Sequence, residues 1–233
     1  MNKTEPLIIL AGGFGTRLKS ELGGLPKALA DINDKPFIEI LLNKLINNGF
    51  SNFIFSLHFK AEMIIDFVNK KLKHKKSISY KFVIEDKPLG TGGAISYVIH
   101  KLDIINYFYV VNADTLLKNG YNVLLSLNKN CLLTIKKNNT TRYGSVLVNK
   151  NKIIGFKEKN NSKKGLINAG FYKLNSSCVP VWSNKSYSLE KDLFPVLVKS
   201  KNLYSIEVKT EFIDIGIPED YNNLKKNILE YES

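Results

Sequence analysis

Apolar positions in the first half of the chain switch between two periods. Leu7-Ile8-Ile9-Leu10 is an unbroken apolar run, the pattern of a strand buried on both faces of a parallel sheet. Pro36 opens a helical spacing through Ile38, Leu41, Leu42, Leu45 and Ile46, which stops at Asn48-Gly49. Residues 53–57 predict a second strand, and 61–72 a helix with Ile64, Ile65 and Val68 on one face. A third strand over 80–84, a helix over 93–102 and a fourth strand over 107–111 follow. This β-α-β-α order predicts an α/β fold, doubly wound and Rossmann-like, with helices on both faces of the sheet. Ligands in such sheets bind beyond the carboxyl ends of the strands.

The pattern changes after residue 130. Strand-like segments at 132–135, 144–148, 153–156 and 167–174 are joined by short connections, so antiparallel strands are expected to extend the sheet into a mixed one. Residues 188–198 predict a helix with Pro195 late in it, and 203–208 and 212–215 two more strands. A terminal helix over 218–231 starts on Pro218, with Glu219 and Asp220 at the positive end of its dipole. No linker, repeat or low-complexity block interrupts the chain, so one domain over 1–233 is expected.

Composition narrows the chemistry. Hydrophobic residues make up 44%, enough for a sizeable core. The formal net charge is +13, which first suggests nucleic acid or a membrane surface. Of the basic residues, 32 are lysine and only Arg17 and Arg142 are arginine, while asparagine numbers 26. Lysine and asparagine are spread evenly, and a reader of base edges would use arginine forks. No nucleic-acid partner is therefore expected, whereas an anionic small substrate suits the charge. Cys131 and Cys178 have no neighbouring Cys or His, which excludes a disulfide framework, a redox pair and a cysteine zinc site. His58, His74 and His100 are isolated and receive no role. No apolar run approaches the roughly 18 residues of a membrane span. Met1–Pro6 is polar and the following apolar run is too short for a signal core, so a cytoplasmic protein without a membrane partner is expected.

The strongest chemical signal is Leu10-Ala11-Gly12-Gly13-Phe14-Gly15-Thr16-Arg17-Leu18, followed by Pro26-Lys27. Glycines directly after a buried strand let backbone N–H groups cradle an anion. Arg17 can grip phosphate with a planar fork, and Lys27 adds a mobile charge. The loop is neither a Walker A nor a dinucleotide fingerprint, because Gly13-x-Gly15 is followed by Leu18.

The run AGGFGTRL with Pro26-Lys27 resembles the signature of the sugar-1-phosphate nucleotidyltransferases, and the resemblance extends from Leu10 to Tyr221. It implies the nucleotide-diphospho-sugar transferase fold and a reaction between a nucleoside triphosphate and a sugar 1-phosphate, giving a nucleotide sugar and pyrophosphate. Residues 1–130 would mainly bind nucleotide and 131–233 the sugar phosphate. Leu10, Ala11, Gly12, Gly13, Gly15 and Thr16 would hold nucleotide, as would Asn112. Glu85, Gly90 and Thr91, in Glu85-x-x-Pro88-Leu89-Gly90-Thr91-Gly92-Gly93-Ala94, resemble the family's base-reading loop. Asp114, in Val111-Asn112-Ala113-Asp114, and Asp214 resemble the metal aspartates, implying Mg²⁺ as cofactor. Ala113 stands where the family usually has glycine. Glu158-Lys159-Asn160 resembles the family's Glu-Lys-Pro, with Asn160 for proline. Asn168-Ala169-Gly170 and Glu190 resemble its sugar-hydroxyl contacts. Arg17, Lys27 and Lys159 would carry catalysis by neutralising phosphate charge.

Glu85 bears on the base. Guanine offers two adjacent donors, which a carboxylate accepts and a glutamine amide, with one acceptor, does not. Together with the chain length and the LGTGGA run, this favours the branch that uses GTP and a heptose 1-phosphate. Uridylyl or cytidylyl transfer to a hexose 1-phosphate stays open, as do a silent nucleotide-sugar-binding regulator and a homodimeric assembly. No hexapeptide repeat of an acyltransferase follows Tyr221, so a single activity is expected.

Overall fold

The structure is a computed structural model that describes residues 5–157 and 164–232. In chain order it holds β1 (Leu7–Leu10), α1 (Lys19–Leu22), β2 (Asp31–Ile32), β3 (Lys35–Pro36), α2 (Phe37–Asn47), β4 (Asn52–Leu57) and α3 (Ala61–Leu72). Next come β5 (Ser79–Ile84), α4 (Gly90–Leu102), β6 (Tyr107–Asn112), β7 (Thr115–Leu117), β8 (Cys131–Lys137), β9 (Ser145–Asn149) and β10 (Lys152–Lys157). The chain finishes with β11 (Gly165–Asn175), α5 (Phe194–Lys199), β12 (Tyr204–Glu207), β13 (Phe212–Asp214) and α6 (Pro218–Glu232). The long periodic segments stand where their patterns predict them. The β2–β3 hairpin is too short to show a period. It turns on Asn33 and Asp34, which both take positive φ, 49° and 67°, as a primed two-residue hairpin turn demands.

The residues gather into two compact units: the chain up to Pro88 with Val111–Asn122 and everything from Glu211 on, and Leu89–Val110 with Val123–Thr210. In the first unit β5, β4 and β1 lie side by side, all parallel, with Leu7 opposite Phe53 and Leu57 opposite Ile84. Leu7, Ile8, Ile9, Phe53, Phe55 and Leu57 are fully buried, which explains the unbroken apolar runs. In the same unit β7 pairs antiparallel with β13, placing Thr115 opposite Asp214. The Ile215 N–H then donates to the Asp114 carbonyl at 2.9 Å, so two acidic residues 100 positions apart are held on adjoining backbone.

The second unit carries strands in the order β6-β11-β8-β12-β10-β9. The β8–β12 pair is parallel, whereas β8–β11, β10–β12 and β10–β9 are antiparallel. This is the mixed sheet that the second half predicts. The β11–β8 register slips between Asn168 and Tyr172, around Gly170 with φ of 71°. Such a bulge re-aims the side chains beside it.

Two elements differ from their sequence pattern. The helix expected over 188–198 is a single π-type turn, Leu189–Leu193, leading into α5. Pro195 has no N–H to donate to the carbonyl of Lys191, so a regular α-helix cannot run through this point. Helix α4 begins at Gly90 rather than Gly93, so the glycines expected in a loop form its first turn. Glycine is a weak helix former and hides that turn from a periodicity reading. A methyl group on Gly92 would run into the Tyr187 ring, and one on Gly90 would lie 2.6 Å from the Tyr187 carbonyl oxygen. The segment 185–187 therefore occupies the space these glycines leave.

Candidate active site

Three side-chain constellations within the first unit stand at the carboxyl ends of its parallel strands. The glycine loop leaves β1 as the Ala11 N–H donates to Ser56 O at 2.9 Å, the last step of the β1–β4 ladder. The N–H groups of Gly12, Gly13 and Phe14 make no hydrogen bond among the described residues. Gly15 takes φ of 62°, and its carbonyl accepts the Leu18 N–H at 3.0 Å, closing a short turn that carries Arg17 to the surface. A methyl at Gly13 would meet nothing within 4 Å, whereas one at Gly12 would stand 3.3 Å from His58. Gly13→Ala is expected to leave the melting temperature unchanged and raise the triphosphate concentration needed for half-maximal rate. Gly92→Ala is expected to cost stability by overpacking, about 1–3 kcal/mol. Thermal melts and steady-state kinetics on the two variants check both, and a destabilised Gly13→Ala would mean that the loop is built for packing.

The second constellation is ionic. Lys27 Nζ donates to Asp114 Oδ2 at 2.7 Å and stands 3.9 Å from Asp214 Oδ1. Pro26 precedes the short helical turn Lys27–Leu29 in extended conformation, and Ala30 N–H closes that turn on the Lys27 carbonyl. The Gly216 N–H donates to Asp214 Oδ1 at 2.7 Å. A Cβ at Gly216 would lie 2.6 Å from Lys27 Nζ, so this glycine keeps open the room in which the three charges meet. Burial, reinforced by the charge of Asp114, pushes the Asp214 carboxyl above the ordinary aspartate value, while Lys27, the Gly216 N–H and Arg17 pull it back down. A desolvated carboxylate repelled by a second one, with one lysine between them, is short of positive charge. That donor set fits a divalent cation whose remaining oxygens come from phosphates and water, the habit of Mg²⁺. No group of three His, Cys, Asp or Glu side chains suited to a metal is found among the described residues. Nearby, Asn112 Oδ1 is buried without a hydrogen-bond partner, an acceptor left for a donor outside the chain.

The third constellation surrounds Glu85, at the end of β5 and 7% exposed. Its Oε1 accepts from Ser56 Oγ at 3.0 Å, and its N–H donates to Leu57 O at 2.8 Å. His58 Nδ1 lies 2.8 Å from the Glu85 carbonyl oxygen. A carbonyl only accepts, so Nδ1 carries the proton and Nε2 faces away from this bond. Phe14 meets the His58 ring edge-on at 5.5 Å between centroids. His58 thus belongs beside the glycine loop and Glu85, although its isolation along the chain left no sign of it. Only the parallel pairing of β4 with β5 brings residues 58 and 85 together.

The second unit holds a separate cavity of about 190 Å³, lined by Tyr143, Phe156, Lys157, Asn168, Glu190 and Lys191 among others. Asn168 sits on the β11 bulge. Its Oδ1 accepts the Gly170 N–H at 2.9 Å and its Nδ2 donates to Tyr172 Oη at 3.0 Å, which locks the amide's orientation. Glu190 is the second residue of the π-type turn, where Ser188 caps the N–H groups of Glu190 and Lys191 at 3.2 Å each. Gly90 and Thr91 belong to this unit, and Thr91 bonds to Glu190. Glu158 and Lys159 lie outside the described residues, just past Phe156 and Lys157. Tyr143, Phe156, Lys157 and Lys191 are cavity residues that the sequence pattern does not single out.

The chain is similar to known proteins over nearly its whole length. The family described as Nucleotidyl transferase matches residues 7–231. A D-glycero-alpha-D-manno-heptose 1-phosphate guanylyltransferase of Aneurinibacillus thermoaerophilus is 35% identical over 96% of this chain and 98% of its own length. The protein of the same name from Campylobacter jejuni is 38% identical over 92% of this chain and 96% of its own. The crystal structure of HddC from Yersinia pseudotuberculosis complexed with GMP-PN matches with a TM-score of 0.82 and 34% identity, covering 96% of this chain and 99% of that one. With a glycine loop, a lysine between two aspartates and relatives of this kind over nearly its whole length, the chain belongs to the nucleotidyl transferase family.

Proposed function

We propose that the protein transfers GMP from GTP to D-glycero-D-manno-heptose 1-phosphate, releasing pyrophosphate and forming a GDP-heptose for surface polysaccharide synthesis in the cytoplasm. The observation that carries the choice of base is Glu85, a carboxylate buried at a strand end and steadied by Ser56 beside Gly12. The names of the two relatives supply the sugar.

Both substrates are anions, so catalysis here consists of positioning and neutralisation. The backbone of residues 10–16 and Arg17 hold the triphosphate. Lys27, held between Asp114 and Asp214, stabilises charge at the reacting phosphorus. Asn112 lends its unpaired acceptor to the nucleotide. Glu158, Glu190, Asn168 and Gly170 bind the sugar phosphate, and Lys159 meets its phosphate group. Asp114 and Asp214 would hold Mg²⁺, which when bound supplies electrostatic neutralisation of the phosphates. The attacking phosphate oxygen is already ionised and needs no general base. No helix among the described residues is long and apolar enough to cross a membrane.

Pyrophosphate release measured across four nucleoside triphosphates and a panel of sugar 1-phosphates tests the assignment. The heptose phosphate with GTP is expected to give the highest kcat/KM. Equal rates with GTP and UTP, or a preferred hexose phosphate, would reject the corresponding half of the proposal.

A further inference from the structure

We propose that Thr91 is a positioning residue for the sugar phosphate, acting through Glu190, and not a nucleotide ligand. The inference rests on the reading of Glu190 as a sugar contact. Thr91 Oγ1 donates to Glu190 Oε2 at 2.9 Å and accepts the Leu189 N–H at 2.9 Å. A hydroxyl has one proton, and this one is spent on a carboxylate. Thr91 is therefore unable to donate to a ribose or phosphate oxygen while that bond stands.

The bond also fixes which oxygen of Glu190 is used. Ser188 Oγ donates to the same Oε2 at 2.8 Å, so both donors converge on one oxygen and Oε1 is left for the cavity that Glu190 lines. Backbone bonds make the two segments one piece. The Tyr187 N–H donates to Leu89 O at 3.0 Å, and the N–H groups of Gly92 and Gly93 donate to Tyr187 O at 3.0 and 3.2 Å. These are N–H groups of the first turn of α4, which that helix cannot satisfy from within. The missing side chains of Gly90 and Gly92 permit the approach. The glycine-rich first turn of α4 is thus a mount for the sugar-side loop, with Thr91 as its side-chain link to the carboxylate.

The test uses Thr91→Val, which keeps the shape and removes the hydroxyl, together with Thr91→Ser, Ser188→Ala, Glu190→Ala and the Thr91→Val/Glu190→Ala pair. Losing one charge-assisted hydrogen bond is expected to raise the KM for the sugar 1-phosphate roughly tenfold in Thr91→Val, with the KM for GTP unchanged. Thr91→Ser is expected to restore the wild-type value, and Ser188→Ala to shift the same constant as Thr91→Val. In the Glu190→Ala background the Thr91 change is expected to have no further effect. A raised KM for GTP in Thr91→Val, or an unchanged sugar KM there when Glu190→Ala raises it, overturns the Thr91 assignment alone. An unchanged sugar KM in Glu190→Ala overturns the reading of Glu190 and the inference with it.

Discussion

Asp214→Asn and Asp114→Asn are each expected to lower turnover by about two to three orders of magnitude, the usual loss when one preorganised charge is removed from a transition-state site. Folding is expected to survive. Asn keeps an oxygen that can accept the Gly216 N–H at position 214, and Lys27 retains the other aspartate in either variant. For Asp214 the effect on stability has a definite sign. Its folded carboxyl titrates above the ordinary value because it is buried beside Asp114. The folded state thus holds that proton more tightly than the unfolded chain, and stability falls as pH rises from the unfolded value through the folded one. Above the folded value, where Asp214 is ionised, its charge is a net cost. Asp214→Asn is expected to melt at or above the wild-type temperature at pH 7, with the difference shrinking as pH is lowered toward the unfolded aspartate range. Loss of activity with gained stability is the trade expected of a site that stores like charge for a ligand. Pyrophosphate release and thermal melts across pH measure both sides. Near-normal turnover in Asp214→Asn would sink the two-carboxylate assignment.

Glu85→Gln is expected to erase most of the preference for GTP over UTP. A carboxylate can accept guanine N1–H and N2–H together, and charge-assisted bonds of this kind contribute about 1.5–3 kcal/mol. That corresponds to roughly a ten- to hundredfold preference. Glutamine has one acceptor oxygen, which Ser56 already contacts in the native arrangement. Competition kinetics with the two nucleotides on wild type and variant measure the change. A preference that survives the substitution intact would move base reading to another residue, with His58, hydrogen-bonded to the Glu85 carbonyl, as the next to change.

Local pattern carries far in this chain. The apolar run 7–10 and the helical spacing of 61–72 coincide with β1 and α3, because one period is enough to specify a strand or helix that buries one face or two. The glycine loop with Arg17 is equally legible, since its residues are contiguous in the chain. Local pattern fails where neighbours in space are distant in sequence. The glycines at 90, 92 and 93 look like a loop, yet they form the first turn of α4 with residues 185–187 packed against them.

The order of elements, the glycine loop and the kinship with nucleotidyl transferases are all written in short contiguous segments, and reading along the chain is enough to find them. The folded arrangement was needed to show that Lys27 stands between Asp114 and Asp214, that His58 and Ser56 hold Glu85, and that the Thr91 hydroxyl serves Glu190. Each of these contacts joins residues between 27 and 187 positions apart. Strand pairing and helix docking bring such residues together, and no periodicity along the chain records which strands will pair.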